Sequence, residues 1–207
     1  MRVLKDDTYQ SILQAARDEF IRNGYKDTTM RMIAKKAHVG VSNIYHYFKN
    51  KDEIFLAIVQ PAKDEIFTFI TRQHTEESID FTQISTLHCD DKAIESYIRL
   101  IDTYKQELCL LLYHSEGSSM KDFRDIFTDH ITQVSNNYMA LVKKYYPQAN
   151  EVSSFFIHTL ASWTVSILGE IVTHNLSRQK IREFFREHFK YEIAGWNELT
   201  GIKREAG

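Results

Sequence analysis

The sequence predicts an all-α chain in two parts, and two observations carry that expectation. Seven glycines and two prolines in 207 residues are too few turn formers for a many-stranded sandwich or barrel. Apolar residues recur at the three- and four-residue spacing of a helix face along most of the chain. The length allows one or two domains, and a composition of 43% hydrophobic and 26% charged residues is that of a globular protein.

Taken in order, Ile12, Ala16 and Phe20 predict a helix over 7–23, with Asp6 or Asp7 at its start and Asn23-Gly24 at its end. Thr28 and Thr29 offer the next N-cap, for a short helix to about Ala37. Gly40 breaks the chain, and a third helix runs from Val41 to Phe48. Asn50 and Glu53 have the spacing of a capping box for a fourth. Pro61 is expected to kink or interrupt that helix. Further helices are expected over 63–74, 91–113, 120–146, 151–175 and 178–199, with a polar, ambiguous stretch at 75–90. Gly117-Ser118-Ser119 reads as a turn, and Pro147 as a stop. The last two helices carry wide apolar faces, and Ser162, Ser166 and Gly169 form a small-residue face beside one of them. Burial on two sides, against a core and against a second copy of the chain, predicts a homodimer. Phe155, Ser162, Ser166, Gly169, Phe184 and Tyr191 are its candidate interface residues.

The formal net charge of −2 conceals an asymmetry. Residues 1–51 hold 10 Lys/Arg against 5 Asp/Glu, and the remainder 16 against 23. A basic head on an acidic body points to an anionic partner at the N-terminal end. Residues 28–51 supply the means. Two short helices joined by a tight turn are the geometry of a helix-turn-helix, whose second helix enters the major groove. Ile33, Ala34, Ala37, Val39, Ile44 and Phe48 can form its small core with Phe20. Arg31, Lys35, Ser42, Asn43, Tyr45, His46 and Lys51 remain as donors and flat rings for phosphates and base edges.

The run from Met32-Ile33-Ala34 through Val39-Gly40-Val41-Ser42 and Tyr45-His46-Tyr47-Phe48-Lys49-Asn50-Lys51 to Asp52-Glu53-Ile54 resembles the signature of TetR-family transcriptional regulators. Ala15-Ala16 through Phe20, Gly24-Tyr25 and Thr28-Thr29 match as well. The resemblance covers roughly residues 8–58 and implies an N-terminal helix-turn-helix DNA-binding domain, residues 1–50. A helical ligand-binding and dimerisation domain, residues 51–207, follows. It implies that Thr29 caps the second helix and touches phosphate, that Arg31 reaches a phosphate or groove edge, and that Ser42, Asn43, Tyr45 and His46 face the DNA. Tyr47 and Lys51 take phosphate contacts by the same resemblance, though Tyr47 also suits the small core. Where the family often has a small residue, this chain has Asn43, whose amide can pair with adenine or bond a phosphate.

In the body, the cluster Tyr113-His114-Ser115-Glu116-Gly117 reads as a ligand-contacting helix end or as a simple helix C-terminus. Phe67, Tyr97, Tyr104, Phe123 and Phe127 join His114 as candidate ligand residues, with ordinary core as the alternative. The histidines show no i, i+4 pair and no Cys-x-x-Cys occurs, so no metal is expected, and no motif calls for a cofactor. Cys89 and Cys109 form no disulfide framework. The longest apolar run is Leu108–Tyr113 and the first residues carry no apolar signal segment, so a cytoplasmic chain without a membrane span is expected.

These readings combine into a sequence-specific regulator, a dimer on a double-stranded DNA operator, acting as a repressor released by a small-molecule inducer. An activator or ligand-independent regulator shares the head and differs in the body. A cavity of ~300 Å³ or more with convergent polar groups marks a sensor, and a solid core the alternative. A helical enzyme or carrier using the helix-turn-helix as a packing unit is the reading from another class, and it predicts no salt-dependent DNA affinity.

Overall fold

A computed structural model of the chain describes residues 2–76 and 91–202. The described residues form eight helices and no strand: α1 (Arg2–Asp27), α2 (Met30–Lys36), α3 (Val41–Ile44), α4 (Lys51–Arg72), α5 (Asp91–Tyr113), α6 (Phe123–Tyr145), α7 (Ser154–Thr173) and α8 (Arg178–Thr200). Most of the ambiguous 75–90 stretch, with His88 and Cys89, lies outside the described residues. The chain divides into two compact units, residues 1–64 with 106–124, and residues 65–105 with 125–207. These units do not follow a single cut at residue 50, because the end of α5 and the turn after it pack with the N-terminal helices. Two examples are the Tyr25 amide, which donates to the His114 carbonyl at 2.9 Å, and Arg17, which pairs with Glu107 at 2.9 Å.

In the first unit α1 begins at Arg2, so Asp6 and Asp7 fall inside it and neither caps its start; Arg2, Leu4 and Lys5 are good helix formers and extend it backwards. Its regular part ends at Gly24, which takes φ 73°, ψ 167°. Ile12, Ala16, Phe20, Ile33, Ile44 and Phe55 are buried, and the rings of Phe20, Tyr25 and Phe55 meet with centroids 5.1–5.7 Å apart. Pro61 does not interrupt α4, which is continuous from Lys51 to Arg72. An interior proline costs about 3 kcal/mol; Ile58, Val59, Ala62 and Ile66 on either side are buried, and burial at about 1.5–3 kcal/mol per large apolar side chain outweighs that cost.

The turn between α2 and α3 differs from the expectation in its details. Gly40 has an ordinary φ of −71° and serves as the N-cap of α3; the left-handed residue is His38, at φ 56°. A Cβ at position 40 would meet Ser42 Oγ at 3.6 Å, an ordinary contact. α3 is a single turn, Val41–Ile44, and the chain continues to Phe48 as turns, not helix. A side chain in the left-handed region costs about 1–2 kcal/mol, of which glycine's greater unfolded entropy cancels part. Replacing His38 by glycine is therefore expected to raise stability by about 1 kcal/mol, and His38→Val to lower it. Thermal unfolding of both variants checks this, and a fall with glycine would show that the imidazole makes a contact worth more than the strain.

In the second unit Ile94, Ile98, Ile101, Ile171, Phe185 and Phe189 belong to one apolar cluster. Along its edge an ion-pair ladder joins α5 to α8: Arg178 to Glu95 and, at 3.0 Å, to Asp102, Arg182 to Glu95 at 2.7 Å, and Arg186 to Asp91 at 2.7 Å. α5 leaves helical geometry at Tyr104 (φ −121°, ψ 17°), beside the point where the two units divide. α7 and α8 begin at Ser153 and Ser177, whose side chains accept from the Phe156 and Lys180 amides. α7 is long and apolar enough to cross a membrane by length and composition alone. Its Ile157, Ala161, Val165 and Ile171 are nonetheless buried within the unit.

Candidate nucleic-acid interface and ligand cavity

The helix-turn-helix is assembled from local caps. Of the two threonines, Thr29 is the cap of α2, its hydroxyl accepting from the Met32 amide at 3.3 Å. Thr28 is buried, and its hydroxyl reaches back to the Gly24 and Glu19 carbonyls at 2.7 and 3.1 Å. With Ile33 and Ala34 turned into the core, Arg31 and Lys35 stand exposed on the opposite face of α2. Ile44 is the buried side chain of α3, which leaves Ser42, Tyr45 and His46 exposed and Asn43 half-buried. Among the described residues no hydrogen bond engages the side chains of Ser42, Asn43, Tyr45 or His46, so their donors and acceptors are open to a ligand. Tyr45 keeps 53% of its surface exposed. Tyr47 is half-buried with its ring 6.2 Å from that of Tyr9, between the two roles that the sequence allows it.

Lys51 is placed differently from the rest. Its ammonium donates to the carbonyls of Tyr25 at 2.5 Å and Thr28 at 2.7 Å, and lies 4.1 Å from the Tyr25 ring centroid. It holds the α1–α2 turn. Burial pulls its pKa below the usual lysine value, against the opposing pull of Asp27. Lys36 is likewise engaged, with Asp18 at 3.0 Å and Glu19 at 3.6 Å. The start of α4 is already occupied by its own groups. The Asn50 side chain accepts from the Glu53 amide at 2.8 Å, the Glu53 carboxylate accepts from the Lys49 amide, and Asp52 accepts from the Ser119 amide at 2.9 Å. Two carboxylates at a helix N-terminus leave it less inviting to a phosphate than an open one.

The second unit contains a cavity of about 240 Å³. Of the six candidate ligand residues, Tyr97 and Phe127 line it. Phe67 stacks on His130 with centroids 4.4 Å apart and lies tilted against Phe127 at 5.3 Å, outside the wall. Tyr104 marks the kink in α5. His114 and Phe123 belong to the first unit, where the His114 carbonyl receives the Tyr25 amide and Phe123 is buried. Aromatic residues at helical spacing do not reveal which of two cores they join.

The sequence reading missed the polar wall of this cavity: His74, Ser135, His188 and Glu192. His188 and Glu192 stand one turn apart on α8, with His188 Nε2 3.4 Å from the Glu192 carboxylate. Burial pushes the Glu192 carboxyl up to about 7 and pulls His188 below the usual histidine value. His74 is lowered mainly by burial; its Nδ1 lies 2.9 Å from the Ile70 carbonyl and its Nε2 3.4 Å from the Ser135 hydroxyl. Burial, and secondarily Glu192, raises the Tyr97 phenol. The sequence carried little signal for this polar wall, because His188 and Glu192 are one i, i+4 pair in a helix that holds many other charged residues.

On α7 and α8 large apolar side chains remain uncovered. Phe155 is 77% and Tyr191 66% exposed, with Trp163 at 40% and its ring edge-on to Tyr191. Ser162 is exposed and Ser166 half-buried on the same two helices. Gly169 is buried, and Phe184 is partly buried against the apolar cluster and stacked on His188.

A sequence model described as bacterial regulatory proteins of the tetR family matches residues 12–58, the span of α1 to α4 that builds the turn. Over 72 residues the chain is 42% identical to the HTH-type transcriptional regulator YhgD of Bacillus subtilis, covering 35% of this chain and 34% of that one. It is 35% identical to the fatty acid metabolism regulator protein of the same organism over 72 residues, 35% of this chain and 36% of that one. The matched part thus spans about a third of the length of these curated relatives. The likeness of fold extends further. A bacterial regulatory protein of the tetR family from Rhodococcus RHA1 superposes with a TM-score of 0.60 at 16% identity, over 91% of this chain and 96% of that one. Residues 12–58 thus carry a helix-turn-helix that matches the tetR family of bacterial regulatory proteins, and the chain as a whole is similar in fold to a solved protein of that family.

Proposed function

We propose that the chain is a sequence-specific DNA-binding regulator of the cytoplasm, acting as a homodimer and as a repressor that a small molecule releases. The reading rests on one observation above the others: Ser42, Asn43, Tyr45 and His46 present unengaged polar groups on α3, flanked by exposed Arg31 and Lys35. Residues 1–50 serve as the DNA-binding part and 51–207 as the sensing and dimerising part. Phe155, Trp163 and Tyr191 supply the apolar surface for pairing. The dimer sets two recognition helices one DNA turn apart, ~34–36 Å. The cavity falls short of ~300 Å³, yet it is open space with polar groups at its wall, which favours a sensor of small ligands over a ligand-independent regulator. Such a ligand acts by binding the DNA-competent and incompetent states with different affinity.

Selection of bound fragments from random DNA by the full chain tests this. A defined sequence is expected to enrich, and failure to enrich any overturns the reading. Of the five cations in residues 28–51, Lys36 and Lys51 are engaged internally, which leaves Arg31, Lys35 and Lys49 in each protomer's helix-turn-helix. A dimer is then expected to show a slope of about −5 in log affinity against log salt. Asn43→Ala is expected to relax preference at one position of each half-site by about 1–3 kcal/mol. An equal loss on every sequence would make Asn43 a phosphate contact instead.

A further inference from the structure

We propose that the cavity of the second unit takes a small apolar organic cation, a protonated amine on an alkyl or arylalkyl body, with the Glu192 carboxylate as its counter-charge. This rests on the sensor reading above and adds the chemical class of the ligand. Four observations carry it. The first is charge: among the described residues of the cavity wall Glu192 is the one acidic residue, and neither lysine nor arginine stands there. A carboxylate or phosphate ligand would bring a second negative charge into an apolar space that holds no cation to receive it. The second is the group beside Glu192. Among the described residues it pairs with His188 Nε2 at 3.4 Å, and burial disfavours the charged form of that imidazole. His188 is also fixed in place, with Phe184 stacked on one ring face at 5.5 Å and Trp163 edge-on at 5.3 Å.

The third observation is the aromatic wall. Tyr97 stands 5.0 Å from Phe185 and 5.4 Å from Phe189, with Phe69 edge-on at 4.6 Å, and all four line the cavity. Ring faces in a desolvated site attract a cation and repel an anion. The fourth is size. About 240 Å³ holds roughly eight groups of the volume of water or methylene, at about 30 Å³ each. A single chain or ring with one amine fits, and a large polycyclic compound does not. Glu192 itself keeps 32% of its side-chain surface uncovered, as a wall residue does and a packed core residue does not.

Isothermal titration calorimetry on the full chain at pH 8 tests the assignment with three probes that share one body: octylamine, octan-1-ol and octanoate. Octylamine is expected to bind at least tenfold more tightly than octanol, and octanoate more weakly than both. Glu192→Gln is expected to cost the amine at least tenfold and to leave octanol unchanged, so octanol binding also reports that the cavity of the variant is intact. Octanoate binding tightest, an amine preference that survives Glu192→Gln, or no binding of any probe overturns the proposal. Release of a selected DNA fragment by octylamine is read separately. Amine binding that depends on Glu192 without DNA release upholds the ligand class and refutes the inducer role.

Discussion

Replacing Lys51 by methionine is expected to lower the stability of the chain by about 2–3 kcal/mol and to leave the salt slope of DNA binding unchanged. The ammonium donates to the Tyr25 and Thr28 carbonyls and sits against the Tyr25 ring. A hydrogen bond from a charged donor contributes about 1.5–3 kcal/mol, and a partly exposed cation over a ring about 0.5–1. Methionine keeps the apolar stem and removes every one of these. For a chain of this size the loss corresponds to a fall of about 5–10 °C in the unfolding midpoint. Resemblance alone gives Lys51 a phosphate contact, and the two roles separate cleanly. A phosphate contact changes the salt slope by about 1 per protomer and spares stability. A turn clamp does the reverse. An unchanged midpoint with a flattened slope would return Lys51 to the phosphates.

Glu192→Gln is expected to stabilise the folded chain by about 2 kcal/mol at pH 8 and to have no effect near pH 4.5. Burial raises the folded carboxyl from the ordinary 4.5 to about 7, so the folded state holds its proton more tightly than the unfolded state does. The stability linked to that proton is complete below pH 4.5 and is lost as pH rises through 7. Above 7 the chain carries a buried charge that glutamine lacks. The side chain is a third uncovered, which screens the charge and keeps the effect near ~2 kcal/mol. Denaturant unfolding of both proteins at pH 4.5, 6 and 8 measures the difference. A constant difference across that range would show that the carboxyl is solvated. The same excess charge is what an amine in the cavity would neutralise, so octylamine is expected to stabilise the wild type at pH 8 more than the variant.

What was legible in the sequence was local. Thr29, Asn50 and Ser177 act as caps as their spacing predicts, because a cap bonds an amide two or three residues away. Gly24 and Gly117 take positive φ at the expected turns. Local rules failed where two of them competed: at Pro61, where burial on both sides outweighed a missing amide, and at His38, where the short turn put the strained dihedral on a histidine and left Gly40 relaxed.

By itself the sequence determined the helical class, the placement of the helix-turn-helix and the polar face of its short helices. Each of these follows from residues within a few positions of one another, through periodicity, capping and charge. Only the tertiary structure decided which groups those helices spend on one another. Lys51 meets carbonyls 23 and 26 residues away and so leaves the set of free cations. Glu192, from the last helix, meets Tyr97 of α5 across a cavity whose walls come from four other helices as well as its own. The reason is physical: desolvation and ion pairing depend on distance in space, and a helical pattern states which face is apolar without stating what that face will meet.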